Sequence, residues 1–237
     1  MVLSFTNVSF AVQHKTILKN ITGTFTKGKI TTLVGPSGAG KTTLLKLCNG
    51  LLSPTAGTIL FNNQPLAELE PTVVRKNIGI ALQAAPMITG TVFDNLQLPK
   101  KLAGQQLSEQ QAIERLTDVG LDASLLRQSA DDLSGGQRQR VSIARTLINE
   151  SQVLLLDEIT SALDRTAAKE IEELIVKLNK KYGVTIIWIT HNLQQAISLS
   201  DDVWVMIDGE LVATGPPTIL TTPSNSQVRQ FIDGGLA

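Results

Sequence analysis

Polar and apolar residues alternate over positions 4–12, the period of a strand with one solvated face. Residues 13–15 interrupt that pattern and a second strand follows to position 25, so an antiparallel β-region is expected first. After a turn at Lys27-Gly28, residues 30–34 read as a buried strand, and residues 42–52 as a helix closed by Ser53-Pro54. Residues 58–61 read as a further short strand. From about 85 to 150 the β-branched runs thin out, and the composition is that of a helical insertion. Within it Ala112, Ile113, Leu116 and Val119 form a helical stripe ahead of Gly120, and residues 137–148 form another helix. Residues 153–156 are continuously apolar, as in a strand covered on both faces. Ile171, Leu174, Ile175 and Leu178 line one face of the next helix, which a turn at Gly183 closes, and residues 184–190 repeat the buried-strand pattern. Residues 203–207 and 211–213 flank Asp208-Gly209, a strong two-residue hairpin signal, and a short helical trailer is expected from 216 to 237. The expected class is α/β: a mainly parallel sheet flanked by helices, with an antiparallel N-terminal region and a helical subdomain at about 85–150.

Two phosphate-facing elements stand far apart on this framework. The first, Gly35-Pro36-Ser37-Gly38-Ala39-Gly40-Lys41-Thr42, fits the phosphate-loop pattern between a predicted strand and a predicted helix. Its glycines let backbone N–H groups wrap phosphates, Lys41 can reach the β- and γ-phosphates, and the Thr42 hydroxyl is a natural Mg²⁺ ligand. The second is Leu133-Ser134-Gly135-Gly136-Gln137, where two glycines at a helix start admit an anion to backbone N–H groups. One nucleotide rarely needs both elements from one subunit, so a dimer is expected. Asp157 ends the strand 153–156 at the carboxyl edge of the sheet, where a carboxylate can hold Mg²⁺ through water. Glu158 can polarise an attacking water. Gln83 follows a predicted strand at 78–82 and could reach the metal or that water. His191 ends the strand 184–190 at the same edge, whereas His14 reads as a turn residue without a role. Ser161 and Asp164 could serve only to cap the following helix.

Bulk properties narrow the partners. The 237 residues carry 21 basic and 21 acidic side chains, a formal net charge of zero, which argues against a nucleic-acid footprint. Hydrophobic residues make up 42%, enough for a sizeable core. A single cysteine, Cys48, excludes an internal disulfide framework and reads as core filler beside Leu44, Leu45, Leu47 and Leu51. The first ten residues alternate and contain a polar Asn7, unlike a signal peptide. The longest apolar runs, 153–156 and 184–189, are far short of a membrane span. Any action at a membrane is therefore expected to pass through a partner.

Together residues 35–42, Gln83, 133–137, 153–158, 161–164 and His191 closely resemble the nucleotide-binding subunits of ABC transporters, across about residues 3–232. The resemblance implies a P-loop NTPase core and a head-to-tail homodimer or pseudodimer with two ATP molecules at its interface. Each ATP would lie between residues 35–42 of one subunit, with Thr43 adjoining, and Ser134, Gly135, Gly136 and Gln137 of the other. It further implies Glu158 as catalytic base, His191 as γ-phosphate switch, Asp164 in the cross-dimer contact, Gln83 in the loop coupled to a transmembrane permease, and Mg²⁺ on Thr42, Gln83 and Asp157. A cytoplasmic location on the inner face of the cell membrane, through the permease, goes with this. Family members stack adenine on an aromatic residue where this chain has Val12, with Phe10 two residues earlier as an alternative. Residues 155–164, 91–96 and 188–191 are similar to a bacterial subgroup linked to iron or metal efflux, whereas the tail 215–232 is similar to that of phosphate and polar amino-acid importers. A soluble ABC-type ATPase, such as one for iron–sulfur assembly, is the alternative of another class.

Overall fold

The computed structural model describes residues 1–234. β1 (Leu3–Val12) and β2 (Lys15–Phe25) pair antiparallel; β3 (Ile30–Val34) then runs into a glycine-rich loop and α1 (Lys41–Cys48). β4 (Ala56–Phe61) and β5 (Gln64–Pro65) return to the first sheet, which has the order β2-β1-β4-β5. α2 (Pro71–Asn77) leads into β6 (Ile78–Leu82), and three helices follow: α3 (Val92–Leu102), α4 (Glu109–Asp118) and α5 (Gly135–Leu147). Strand–helix alternation resumes with β7 (Val153–Asp157), α6 (Arg165–Tyr182), β8 (Thr185–Ile189) and α7 (Leu193–Leu199). β9 (Asp202–Ile207) and β10 (Glu210–Gly215) form a hairpin, and α8 (Thr218–Thr221) and α9 (Ser226–Ile232) end the described chain. The expected trailer is thus two short helices, with residues 235–237 outside the described residues.

The second sheet has the order β10-β9-β3-β8-β7-β6, parallel from β9 through β6, with β10 antiparallel at its edge. β3 and β8 are buried at every position, and β7 at every position but its last, as strands covered on both faces must be. The chain is therefore α/β with a separate antiparallel sheet. On one face, Leu154, Leu156, Ile186 and Trp188 pack against α5 and α6 and the stripe that includes Ala112 and Leu116. On the other, α1 lies between the two sheets, its Leu44, Leu45, Leu47 and Cys48 packed with Phe5, Phe25, Leu155 and Trp204. Phe25 stacks on Trp204 with ring centroids 4.2 Å apart.

The helix expected over 42–52 is shorter than its apolar pattern. Gly50 turns the chain at φ 68°, and the Leu51 N–H closes back onto the Lys46 carbonyl at 2.9 Å. Leu51 therefore stands about half exposed instead of packing beside Cys48. Each of α3, α4 and α5 opens with a reciprocal capping box, formed by Thr91 with Asp94, Ser108 with Gln111, and Ser134 with Gln137. Asp208 and Gly209 both have positive φ, the type I′ geometry that two-residue hairpins favour. This turn abuts β2: the Lys19 N–H donates to the Gly209 carbonyl at 2.8 Å, and a Cβ on Gly209 would overlap the Ile17 carbonyl oxygen.

Gly35, which leaves β3 for the glycine-rich loop, sits at φ 146° with its α-carbon against the Met206 carbonyl of β9. A Cβ there would overlap that oxygen, and the backbone group cannot move without parting β3 from β9. Gly35→Ala should lower the unfolding free energy by about 3 kcal/mol or more in urea titrations, or prevent folding.

Candidate active site

Three parallel strands deliver the predicted residues to one edge of the sheet. Because Leu33 pairs with Ile189, and Ile189 with Asp157, the segments after β3, β8 and β7 emerge side by side. The loop after β3 and the start of α1 line an open cleft of about 760 Å³, from Ser37 to Thr43, with Glu158 and His191 at one end. Gly40, at φ 94°, lets the loop pass so close to Leu18 that a Cβ would lie 2.6 Å from its Cδ2. Lys41 is buried, and its Nζ donates to the carbonyls of Gly35 (2.7 Å) and Pro36 (2.9 Å). Burial pushes the Lys41 ammonium below its ordinary pKa, while Glu158 and Asp157 pull the other way. A partly desolvated cation beside N–H groups at a helix start is a receptor for phosphate.

The Thr42 hydroxyl donates to Asp157 Oδ1 at 3.2 Å, joining the start of α1 to the end of β7. Burial raises the Asp157 carboxyl above its usual range, Thr42 opposes that, and the neighbouring Glu158 adds to it. A hydroxyl and a carboxylate so placed are the oxygen donors that Mg²⁺ prefers, so the pair fits that ion. Among the described residues there is no cluster of three His, Cys, Asp or Glu that could cage a metal, so further ligands would come from phosphate and water.

Glu158 follows β7 in a left-handed conformation, φ 52°, which is strained for a residue with a Cβ. The turn swings its carboxylate out of the strand direction, so that Oε1 lies 2.7 Å from His191 Nε2. The Ser161 hydroxyl and N–H both donate to the Glu158 carbonyl, and the Asp164 carboxylate caps α6 through the N–H groups of Thr166 and Ala167. Asp164 therefore has the capping role considered for it, whereas Ser161 holds the turn.

Some predicted residues lie elsewhere. Gln83 follows β6, one residue beyond the Leu82–Asp157 pair, but is exposed and does not line the cleft. Its turn is held from α5 by the buried Gln139, whose Nε2 donates to the Leu82 carbonyl at 3.4 Å. Phe10 packs in the core at 8% exposure, so its ring is not free to stack on a base. Val12 is 49% exposed at the hairpin end and lies outside the cleft; Lys15, Thr16, Ile17, Lys19 and Asp208 form that wall. The register places Val12 opposite Lys15, and the turn between them carries the chain around the cleft's rim. The alternation of β1 and β2 gave no sign that residues of the second strand would face the cleft.

Residues 134–137 lie in a different cleft, which they share with Arg140, Leu163, Asp164, Ala167 and Glu170 and which has no residue in common with the first. Ser134 caps α5 by accepting the Gln137 N–H, and the Gln137 side chain accepts the Ser134 N–H in return. Gly135 and Gly136 are the first residues of the helix, and neither has positive φ. A Cβ on either would meet its nearest neighbour at 3.8 Å, an ordinary contact. Among the described residues no contact requires these glycines. What they leave open is the approach of an outside group to the helix start.

A glycine-rich loop on a parallel sheet, a hydroxyl–carboxylate pair and an acid–histidine pair at one strand edge define an ATP-hydrolysing P-loop cassette. The family model described as ABC transporter matches residues 18–161, and the chain belongs to that family. YjkB of Bacillus subtilis strain 168, named as an ABC transporter ATP-binding protein, is 42% identical over 220 residues, covering 92% of this chain and 87% of that one. The structure of cbiO1 from Clostridium perfringens, part of the ABC transporter complex cbiONQ, superposes with a TM-score of 0.84 at 29% identity, covering 97% and 94% of the two chains. The ATP-binding cassette MJ0796, solved as a dimer in a post-hydrolysis state with ADP and Pi, superposes at a TM-score of 0.80 and 29% identity, covering 91% and 98%. The chain is thus an ATPase and the nucleotide-binding subunit of a transporter of this family.

Gly135→Ala separates an internal role for this glycine from an external one. Alanine favours the helix and fits the space, so stability should rise by up to about 0.5 kcal/mol in thermal melts. ATP turnover of the same protein should fall about tenfold or more, because the added methyl blocks the helix start.

Proposed function

We propose that two copies of this chain close head to tail on two ATP molecules, each held between residues 35–43 of one copy and 134–137 of the other. The separation of the two phosphate-facing clefts within one chain carries this reading, together with glycines that no internal contact explains. Lys41 and the loop N–H groups would bind the phosphates, with Lys41 exchanging its carbonyl partners for phosphate oxygens. Thr42 and Asp157 would hold Mg²⁺, with Gln83 joining them on closure, and the ion would neutralise charge on the β- and γ-phosphate oxygens. Glu158 would orient the attacking water and accept its proton at the carboxylate. His191, paired with that carboxylate, would report the γ-phosphate. Asp164 lies beside residues 134–137 and would take part in the contact between copies.

Closure would be transmitted through the helical subdomain at about residues 85–150. α5 carries residues 135–137 at its start, and further along it Gln139 and Arg145 hold the loop containing Gln83 through the carbonyls of Leu82 and Pro86. A movement of α5 would therefore move that loop. Among the described residues no helix is long and apolar enough to cross a membrane, so the transported species would pass through a separate permease. We place the chain at the cytoplasmic face of the membrane through that partner. Residues 155–164 support export of a metal such as iron as the cargo, with import of phosphate or polar amino acids as the competing reading from the tail at 215–232. The base end of the cleft, walled by Lys15, Thr16 and Ile17, offers no aromatic stack, so Val12 would touch adenine at most from the rim.

The coupling to a permease is tested by purifying the tagged chain from its native membranes. A multi-span membrane protein should accompany it and identify the cargo class, whereas capture with soluble partners alone sinks the transporter reading. For the chemistry, Glu158→Gln should lower ATP turnover at least about a hundredfold while leaving nucleotide binding intact. Undiminished turnover in that variant removes Glu158 from the mechanism.

A further inference from the structure

Behind the Glu158–His191 pair lies a second cleft, also lined by both residues, so the pair forms the wall between it and the nucleotide cleft. Both side chains stay partly exposed, Glu158 at 23% and His191 at 46%. Glu158 also sits on a left-handed turn, so its direction is not inherited from β7. Something else must hold the two side chains in register.

We propose that Gln195 is the positioning residue that does so, an inference that rests on the hydrolytic roles proposed for Glu158 and His191. Gln195 lies on α7 and is 3% exposed. Its Nε2 donates to Glu172 Oε1 of α6 at 2.8 Å and to Thr160 Oγ1 at 3.3 Å. A carboxylate only accepts, so Glu172 fixes which way the amide faces. The amide oxygen is then turned away, buried and without a partner among the described residues. An alkyl side chain here would escape that penalty, so the polar group is explained by what its nitrogen holds.

What it holds is the loop that carries Glu158. Thr160 is two residues beyond Glu158, and the Glu158 carbonyl is itself fixed by Ser161. On the other side, α7 starts directly after His191. The Asn192 N–H donates to Thr190 Oγ1, and the Asn192 carboxamide oxygen accepts the N–H groups of Gln194 and Gln195. The connections therefore close a ring: Glu158 to His191, His191 through the cap to Gln195, Gln195 to Thr160, and Thr160 back to Glu158. Glu172 anchors the ring to α6. Without Gln195 the loops after β7 and β8 keep the bond from the Glu158 N–H to the Ile189 carbonyl and the exposed acid–histidine contact, but Thr160 loses its tie to α7 and the carboxylate loses its aim at the water.

The test is ATP hydrolysis by the full chain with parallel measurements of nucleotide binding and melting temperature. Gln195→Leu should lower kcat about tenfold with ATP affinity and melting temperature nearly unchanged, since a displacement of ~1 Å suffices for such a loss. Thr160→Val should lower kcat in the same way, and the double variant should be no worse than Gln195→Leu alone. Gln195→Glu sets two carboxylates against each other and should lose activity, whereas Gln195→Glu with Glu172→Gln restores a donor facing an acceptor and should regain it. Unchanged kcat in Gln195→Leu, strictly additive losses, or no rescue by the exchanged pair overturns the proposal. If Gln195→Leu fails to fold, Thr160→Val and the exchanged pair decide. Glu158→Gln is run beside them: if it retains turnover the reading of the site fails, whereas loss there with normal Gln195 variants removes the brace alone.

Discussion

The site rests on the register of three buried parallel strands. β3, β8 and β7 contribute residues at positions 41–42, 191 and 157–158, and no short-range contact could bring these together. Because the strands are buried on both faces, packing against the layers on either side fixes which side chains lie up or down, and a slip of one residue would exchange the faces throughout. The pairings of Leu33 with Ile189 and of Ile189 with Asp157 then place the three loops at a common edge. The Thr42–Asp157 hydrogen bond and the Glu158–His191 pair are consequences of that alignment, not its cause. Their individual stabilities are modest, and the core supplies the precision.

The same apolar runs explain how much of the molecule was legible in the sequence. Residues 153–156 and 184–189 could only be buried strands, and the Asp208-Gly209 turn could hardly be anything but a hairpin. The edge of the sheet was thus readable, and with it Lys41, Thr42, Asp157, Glu158 and His191. Three features were not readable, each for its own reason. α1 stops at Cys48 because Gly50 adopts positive φ, which overrides the apolar continuation to Leu51. The cleft wall at Lys15, Thr16 and Ile17 depends on how the first hairpin is oriented over the loop, which alternation within either strand does not encode. Gln195 carries no local signal, being one of several polar residues in α7. Its burial and its partners on α6 and in the Glu158 loop come from tertiary packing.

On the function proposed above, capping and ATP binding would meet in residues 134–137. Ser134 and Gln137 satisfy each other at the start of α5, an economy common to three helices of this chain. Only here are the intervening positions both glycine. The capping box leaves the next N–H groups exposed, and the glycines keep side chains from covering them. A local device that only starts a helix elsewhere in the molecule would thereby be available to a ligand arriving from outside.

The turn at Asp208-Gly209 has a mechanical consequence. With the Gly209 carbonyl bonded to Lys19 and its α-carbon against the Ile17 carbonyl, the hairpin pins the antiparallel sheet to the parallel one at the mouth of the cleft. The two sheets then behave as one stator, and shear between them would break backbone contacts. Displacement would be left to the helices from α3 to α5, whose polar ties to the rest of the molecule include the bonds of Gln139 to the Leu82 carbonyl of β6 and of Arg140 to Glu170 of α6. On the function proposed above, the base and phosphates of the nucleotide would be gripped by a fixed jaw, and work would be drawn from the arm.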